Sequence, residues 1–238
     1  VSVCARSESL WSMAIAIFVL EHMPGRITAL EPQARHAHRV NLYIDDRFAL
    51  GLSAIVAATL RVGQTLSDAD LAALERAEAY ETAHELALRF LEPRPRSRAE
   101  LQQHLQKKHL AREVIDQVMT RLTEAGLIDD RAFAQYWVEN RETFRPRASR
   151  ALRFELKRKG LPDAVIQEAL GTIDESESAY RAGAPRAERW RHLERRAFME
   201  KLGAFLVRRG FAYEVAKDAA KRLWDATRES SRSESDIR

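Results

Sequence analysis

The chain has 238 residues, 45% of them hydrophobic and 31% charged, with a formal net charge of +4 and a pI near 9.4. That content excludes a disordered chain, allows one or two ordinary domains with real cores, and through its excess of cations points to an acidic partner. One cysteine, Cys4, excludes an internal disulfide, so a cytoplasmic location is expected.

Residues 1–22 read as an extension of uncertain status. Leu10 to Leu20 is a largely apolar run of eleven, the length of a signal-peptide core and too short to span a bilayer. No small-x-small cleavage site follows it, so no membrane association is expected. Val1, Met13 and Met23 are the candidate starts, with Met23 preferred.

Residues 23–79 read as a β-hairpin and helix module. Val40, Leu42 and Ile44 alternate with Asn41 and Tyr43, then Phe48, Leu50 and Leu52 alternate with Ala49 and Gly51, and Asp45-Asp46 between them reads as the turn. Ile27 to Leu30 is a third strand candidate. Ser67 with Asp70 forms a capping-box pattern for a helix over Ala69 to Ala79, and a second helix is expected over Tyr80 to Leu91, stopped by Pro93 and Pro95.

Beyond Ser97 the chain repeats itself. Leu101, Leu105 and Lys107-Lys108-His109-Leu110 recur fifty-one residues on as Leu152, Leu156 and Arg158-Lys159-Gly160-Leu161, and fifty further as Leu202, Leu206 and Arg208-Arg209-Gly210-Phe211. The helices that follow carry matching apolar stripes: Val114, Ile115, Val118, Met119, Leu122, then Val165, Ile166, Ala169, Leu170, Ile173, then Val215, Ala216, Ala219, Ala220, Leu223. A fixed period of this size marks an array of supersecondary units that bury their apolar faces against one another. Three such units are expected over 80–128, 129–173 and 174–229, with a polar, frayed tail over 230–238.

Within the array, Ser97 and Glu100 form a capping box, Asp129 caps a helix beginning near Arg131, and Pro162 starts another. The basic pairs each precede a stop. Gly160 and Gly210 suit a left-handed turn, and His109 tolerates it. Thr172 to Ser178 reads as an acidic connector, and Gly183 with Pro185 as an interruption of the helix that should follow. Phe133, Tyr136 and Trp137 have helical spacing and read as core; Phe144 and Tyr43 lie near turns and are available to a partner.

Catalytic machinery is not expected. The chain lacks G-x-x-x-x-G-K, H-E-x-x-H and C-x-x-C, and the paired carboxylates Asp45-Asp46 and Asp129-Asp130 read as a turn and a cap. His36 and His38 lack converging ligands, so neither metal nor cofactor is expected. Charge is segregated along the chain. Gln64 to Glu92 holds seven acidic residues against two basic, whereas Arg141 to Leu161 has eight basic against two acidic and Arg181 to Arg209 nine against three.

The segments ITALEPQ, VNLYIDDRFALGLS, ALRFLEPRPRSRAELQQHLQKK, AGLIDDRAFAQYWVENR, RASRALRFELKRKGL and FLVRRGF, in that order and spacing, resemble the RecX family of bacterial recombination regulators. The resemblance covers about Ile27 to Leu223, with His109 where the family pattern has glycine. It implies a mainly α fold: an elongated, curved tandem of three three-helix, helix-turn-helix-like repeats behind a small β module. It also implies a non-enzymatic monomer that binds the RecA recombinase and its filaments on single-stranded DNA by groove binding or end capping. Inhibition of ATPase, strand-exchange and coprotease activity in homologous recombination, DNA repair and the SOS response would follow. The residues suited to such a filament are Arg94, Arg96 and Arg98, with Lys107 and Lys108, in the first unit. In the second they are Arg145, Arg147, Arg150, Arg153, Lys157, Arg158 and Lys159, and in the third Arg208 and Arg209. Cations at a helix C-terminus also offset the macrodipole, by about 0.3–1 kcal/mol, so the basic pairs have a purely structural use too. The alternative reading is a helical-repeat protein that binds DNA without RecA.

Overall fold

A computed structural model describes residues 24–34 and 36–235; the apolar run and the candidate starts Val1, Met13 and Met23 lie outside them. Among the described residues two compact units emerge, one holding those up to Leu86 with Leu110–Ile115, the other Ala87–His109 with those from Asp116 onward. The fold is mainly helical, with three-helix units and an N-terminal four-stranded sheet.

In the first unit, β1 (Gly25–Gln33), β2 (His36–Ile44), β3 (Arg47–Ser53) and β4 (Thr65–Leu66) form an antiparallel sheet of order β3-β2-β1-β4. The expected hairpin is β2-β3. Asp45 and Asp46 both take positive φ, 46° and 61°, the backbone of a two-residue turn whose twist matches the strands it joins. Alternation then turns Leu42, Ile44 and Leu52 inward with Ile27 and Leu66, against Val56 and Ala57 of α1 (Ala54–Ala57) and Leu71 and Leu74 of α2 (Asp68–Leu91). Ser67 and Asp70 cap α2 reciprocally, the Ser67 amide donating to Asp70 at 2.9 Å and the Asp70 amide to Ser67 Oγ at 3.3 Å. The two helices expected over Ala69 to Ala79 and Tyr80 to Leu91 are one. Nothing between Ala79 and Tyr80 breaks the backbone ladder, and the first breaker is Pro93.

The second unit holds the second and third repeats and most of the first, whose residues up to Leu86 and Leu110–Ile115 belong to the other unit. α3 (Arg98–Gln106) is followed by α4 (Arg112–Glu124); α5 (Asp130–Phe144), α6 (Ser149–Arg158) and α7 (Asp163–Leu170) come next, then α8 (Glu175–Arg189), α9 (Arg195–Arg208) and α10 (Tyr213–Ser235). Leu101, Leu105, Leu152, Leu156, Leu202 and Leu206, the leucines that carried the repeat, are all fully buried. Phe133 and Val138 of α5 close over Leu152, Leu156, Ile166 and Leu170; Phe198, Leu202, Phe211, Ala219 and Leu223 make the corresponding core of α8, α9 and α10.

The stops take the expected form. His109, Gly160 and Gly210 have φ of 57°, 79° and 99°, and behind the glycines Leu161 and Phe211 donate back to Leu156 O and Leu206 O, both at 3.3 Å. The apolar side chains of Leu161 and Phe211 are buried beside the stop, which completes a Schellman-type end.

Three local expectations are corrected. α8 runs unbroken through Gly183 and Pro185. Proline costs it one backbone hydrogen bond, but Ala179, Ala182 and Ala187 are buried against α9 and α10, and Gly183 lies where a Cβ would come within 2.6 Å of Leu223 Cδ1. Tertiary packing thus outweighs a local breaker. The acidic connector contributes the first turn of α8, with Asp174 as cap accepting from the Ser176 and Glu177 amides, where carboxylates favour the positive helix end. α10 continues to Ser235 where a frayed tail was expected.

Candidate functional site

The middle helices of the repeats meet end to end. Ser97 caps α3, its hydroxyl accepting from the Glu100 amide at 3.1 Å, and the same hydroxyl donates to Lys159 O at the end of α6 at 2.6 Å. One joint further on, the Ala148 amide at the start of α6 donates to Arg209 O at the end of α9 at 3.4 Å. Each joint sets the negative end of one helix dipole against the positive end of the next. The stops are part of the joints: Gly160 lies against Ala99, and Gly210 against Ala148 and Ala151. The first amide of α3 is taken by Asp130 Oδ1 at 2.9 Å and that of α6 by Glu175 Oε1 at 2.8 Å, so in both cases the next unit's first helix supplies the carboxylate.

The joints differ in charge. At the α3–α6 joint Glu100 accepts from Arg94 at 3.2 Å and from Lys159 Nζ. Burial alone would raise the Glu100 carboxyl, but the hydrogen bonds from Lys159, Arg94 and the Ser97 amide overcome it and hold its pKa below the ordinary value. At the α6–α9 joint the position corresponding to Glu100 is Ala151. Arg209 there donates to Pro146 O at 3.2 Å and lies over the Phe205 ring at 5.0 Å, with Arg186 over the same ring at 5.5 Å. Burial first, then Arg147, Arg145 and Arg186, depress the Arg209 pKa. Four arginines therefore gather where the equivalent joint has Glu100, and among the described residues only Arg147 of the four has a carboxylate partner, Glu155.

The fourteen basic residues singled out from the sequence divide between internal and outward roles. Arg96 donates to Phe90 O at 3.3 Å and lies 4.2 Å from the Phe90 ring centroid, and Arg98 donates to Thr123 Oγ1 at 2.9 Å. Arg94 and Lys159 serve Glu100, Arg147 pairs with Glu155 at 2.9 Å, Lys157 with Asp163 at 3.0 Å, and Arg209 closes its joint. Among the described residues no ion pair or side-chain hydrogen bond engages Lys107, Lys108, Arg145, Arg150, Arg153, Arg158 or Arg208. So in the last two basic pairs the first member faces outward and the second is held in the joint.

Glu155 is a node the sequence reading missed. It accepts from Trp137 Nε1 at 2.9 Å, Arg141 at 2.8 Å and Arg147 at 2.9 Å, while Arg141 and Lys159 lie over the Trp137 rings. Trp137 is thus a structural aromatic, as its spacing implied, and Phe133 is buried. Tyr136, expected in the core, is instead 37% exposed, and Phe144 is 74% exposed. Arg186 was missed because Pro185 made its helix look broken. Among the described residues no group of three or more His, Cys, Asp or Glu is placed to hold a metal ion, and no helix is long and apolar enough to cross a membrane.

His104 stacks on Phe90 with centroids 4.0 Å apart. Burial, followed by Lys108, Arg96 and Lys107, lowers its pKa below 6.5. The unfolded chain therefore takes up a proton that the folded chain resists, so stability is full above that value and falls as pH drops through it toward the lower folded pKa. His104→Gln is expected to remove this slope, read as the change in urea midpoint between about pH 7.5 and about pH 5. An equal change in both proteins contradicts the assignment.

Family models match three stretches: the Regulatory protein RecX N-terminal domain over 25–67, the RecX first three-helix domain over 83–122 and the RecX second three-helix domain over 129–170. The Regulatory protein RecX of Streptomyces coelicolor is 37% identical over 139 residues, covering 57% of this chain and 74% of its own. That of Bacillus subtilis is 27% identical over 202 residues, covering 83% and 76%. A crystal structure of regulatory protein RecX superposes with a TM-score of 0.61 at 24% identity, over 80% of this chain and 96% of that one. The three domain models, met in chain order, and the sequence relatives agree, and the chain belongs to the RecX family, a family of regulatory proteins and not of enzymes.

Proposed function

We propose that the chain binds the RecA recombinase on single-stranded DNA and restrains its ATP hydrolysis, strand exchange and assisted repressor cleavage, as a cytoplasmic monomer acting in DNA repair and the SOS response. The observation that carries this reading is the arginine cluster at the α6–α9 joint. Arg145, Arg147, Arg186 and Arg209 converge there with Ala151 in the place of a carboxylate and Glu155 pairing with Arg147 alone among them, an arrangement that an anionic partner would stabilise. Repeated units spread such contacts along one chain, so individually weak contacts with a filament of identical protomers act together through effective concentration.

The test is single-stranded-DNA-dependent ATP hydrolysis by RecA of the same organism, titrated with the chain from well below stoichiometric amounts. Inhibition is expected, and Arg145→Ala with Arg186→Ala should raise the concentration needed by roughly tenfold, equivalent to about 1.4 kcal/mol. Unchanged hydrolysis at saturating chain would overturn the reading.

A further inference from the structure

One face of α6 differs from its counterparts in the other repeats. Leu152 and Leu156 are fully buried and fix the inward side of the helix, which places Arg150, Phe154, Lys157 and Arg158 on the opposite side with Arg153 on its flank. Phe154 is 65% exposed, at the centre of these cations. The fold does not demand an aromatic there, since the corresponding positions are Gln103 in α3 and Ala204 in α9. Nor does it demand the charges: the α3 face reads Ala99, Gln102, Gln106 and Lys107, and the α9 face Glu200, Gly203, Val207 and Arg208.

Little opposes this charge. Glu155 is turned toward Trp137, Arg141 and Arg147, and among the described residues the one carboxylate paired with the face is Asp163, 3.0 Å from Lys157 with both side chains more than half exposed. An ion pair that exposed holds its lysine weakly.

We infer that this face of α6 contacts single-stranded polynucleotide directly, the Phe154 ring stacking on a base while Arg150, Arg153, Lys157 and Arg158 take the flanking phosphates. Charge complementarity selects a polyanion, and the ring selects a single strand. Every base presents an apolar π-face, whereas in a duplex those faces are already stacked on one another. An acidic protein surface would satisfy the cations but leave the ring without a partner. Arg150 and Arg158 are eight residues apart, about 12 Å along a rigid helix, so one base and the phosphates beside it span the face.

The inference rests on the proposed action at a filament on single-stranded DNA, but its test contains no recombinase. Fluorescence anisotropy of a labelled oligodeoxythymidine with the full chain measures binding directly. Phe154→Ala should weaken it by roughly tenfold while leaving the salt dependence unchanged, and Phe154→Trp should restore binding with quenching of the new indole. Arg150→Ala with Arg158→Ala should lower the slope of log affinity against log salt by about 1.4. Thermal unfolding of each variant should match the parent, since these side chains are exposed. Absent oligonucleotide binding, equal binding by Phe154→Ala, or equal affinity for duplex would overturn the inference and leave the face to an acidic protein. Failure here with inhibition of ATP hydrolysis intact removes only the α6 contact. Loss of inhibition with oligonucleotide binding intact removes only the recombinase reading.

Discussion

Gly160→Ala is expected to destabilise the second unit by about 2–4 kcal/mol, a fall in melting temperature of roughly 5–15 °C. Two effects add. At φ 79° an L side chain costs about 1–2 kcal/mol, and the new Cβ would overlap the Cβ of Ala99, which is fixed to the backbone of α3 and cannot rotate away. The end of α6 must then withdraw from α3, stretching the bond from Ser97 Oγ to Lys159 O that closes the joint. Gly210→Ala should cost less, because its Cβ would meet Ala151 Cβ at 3.0 Å. At His109, with φ 57°, replacement by glycine relieves left-handed strain but frees the unfolded chain, so the net change should stay within about 1 kcal/mol. Differential scanning calorimetry of the three variants checks the order. If Gly160→Ala melts with the parent, the helices do not meet end to end.

Glu155→Ala should cost a comparable amount, about 2–4 kcal/mol. Its carboxylate serves the Trp137 indole, Arg141 and Arg147 together with only 18% of the side chain exposed, so truncation strands one half-buried N–H donor and two cations. Hydrogen bonds to a charged acceptor contribute about 1.5–3 kcal/mol each, reduced here by residual solvent and by lost additivity among partners sharing one acceptor. Glu155→Gln keeps an oxygen for one donor and should lose about half as much. Urea unfolding followed by tryptophan emission measures both, and a double-mutant cycle with Arg147→Ala isolates the exposed limb of the node, for which a coupling below about 1 kcal/mol is expected. A coupling several times larger would mean that Arg147 is held for structure and adds little to the arginine cluster at the α6–α9 joint.

The hairpin was legible because two periods met at a turn. Val40, Leu42 and Ile44 alternate, Leu50 and Leu52 alternate after them, and the two aspartates between are residues that tolerate positive φ. The repeat was legible for a similar reason. A buried stripe at helical spacing leaves its mark in every unit, so Leu101, Leu152 and Leu202 announce one another across fifty residues. Pro185 misled because proline's cost is local and fixed, whereas the packing of α8 against α9 and α10 that outweighs it comes from residues distant in sequence.

Sequence alone therefore determined the hairpin, the repeat period, the capped helix starts at Ser67, Ser97 and Asp129 and the family, since each depends on dihedral preference and burial period within a few residues. Tertiary structure alone decided the fate of the charges. Arg158 and Lys159 are adjacent and chemically alike, yet one faces outward and the other is held by Glu100 fifty-nine residues away. Likewise Glu100 and Ala151 differ in the sequence, but only the fold brings Arg94 and Lys159 to the first and gathers arginines beside the second. The reason is that a helix end satisfies its backbone locally, while its charge is balanced by whichever side chain the next helix brings to meet it.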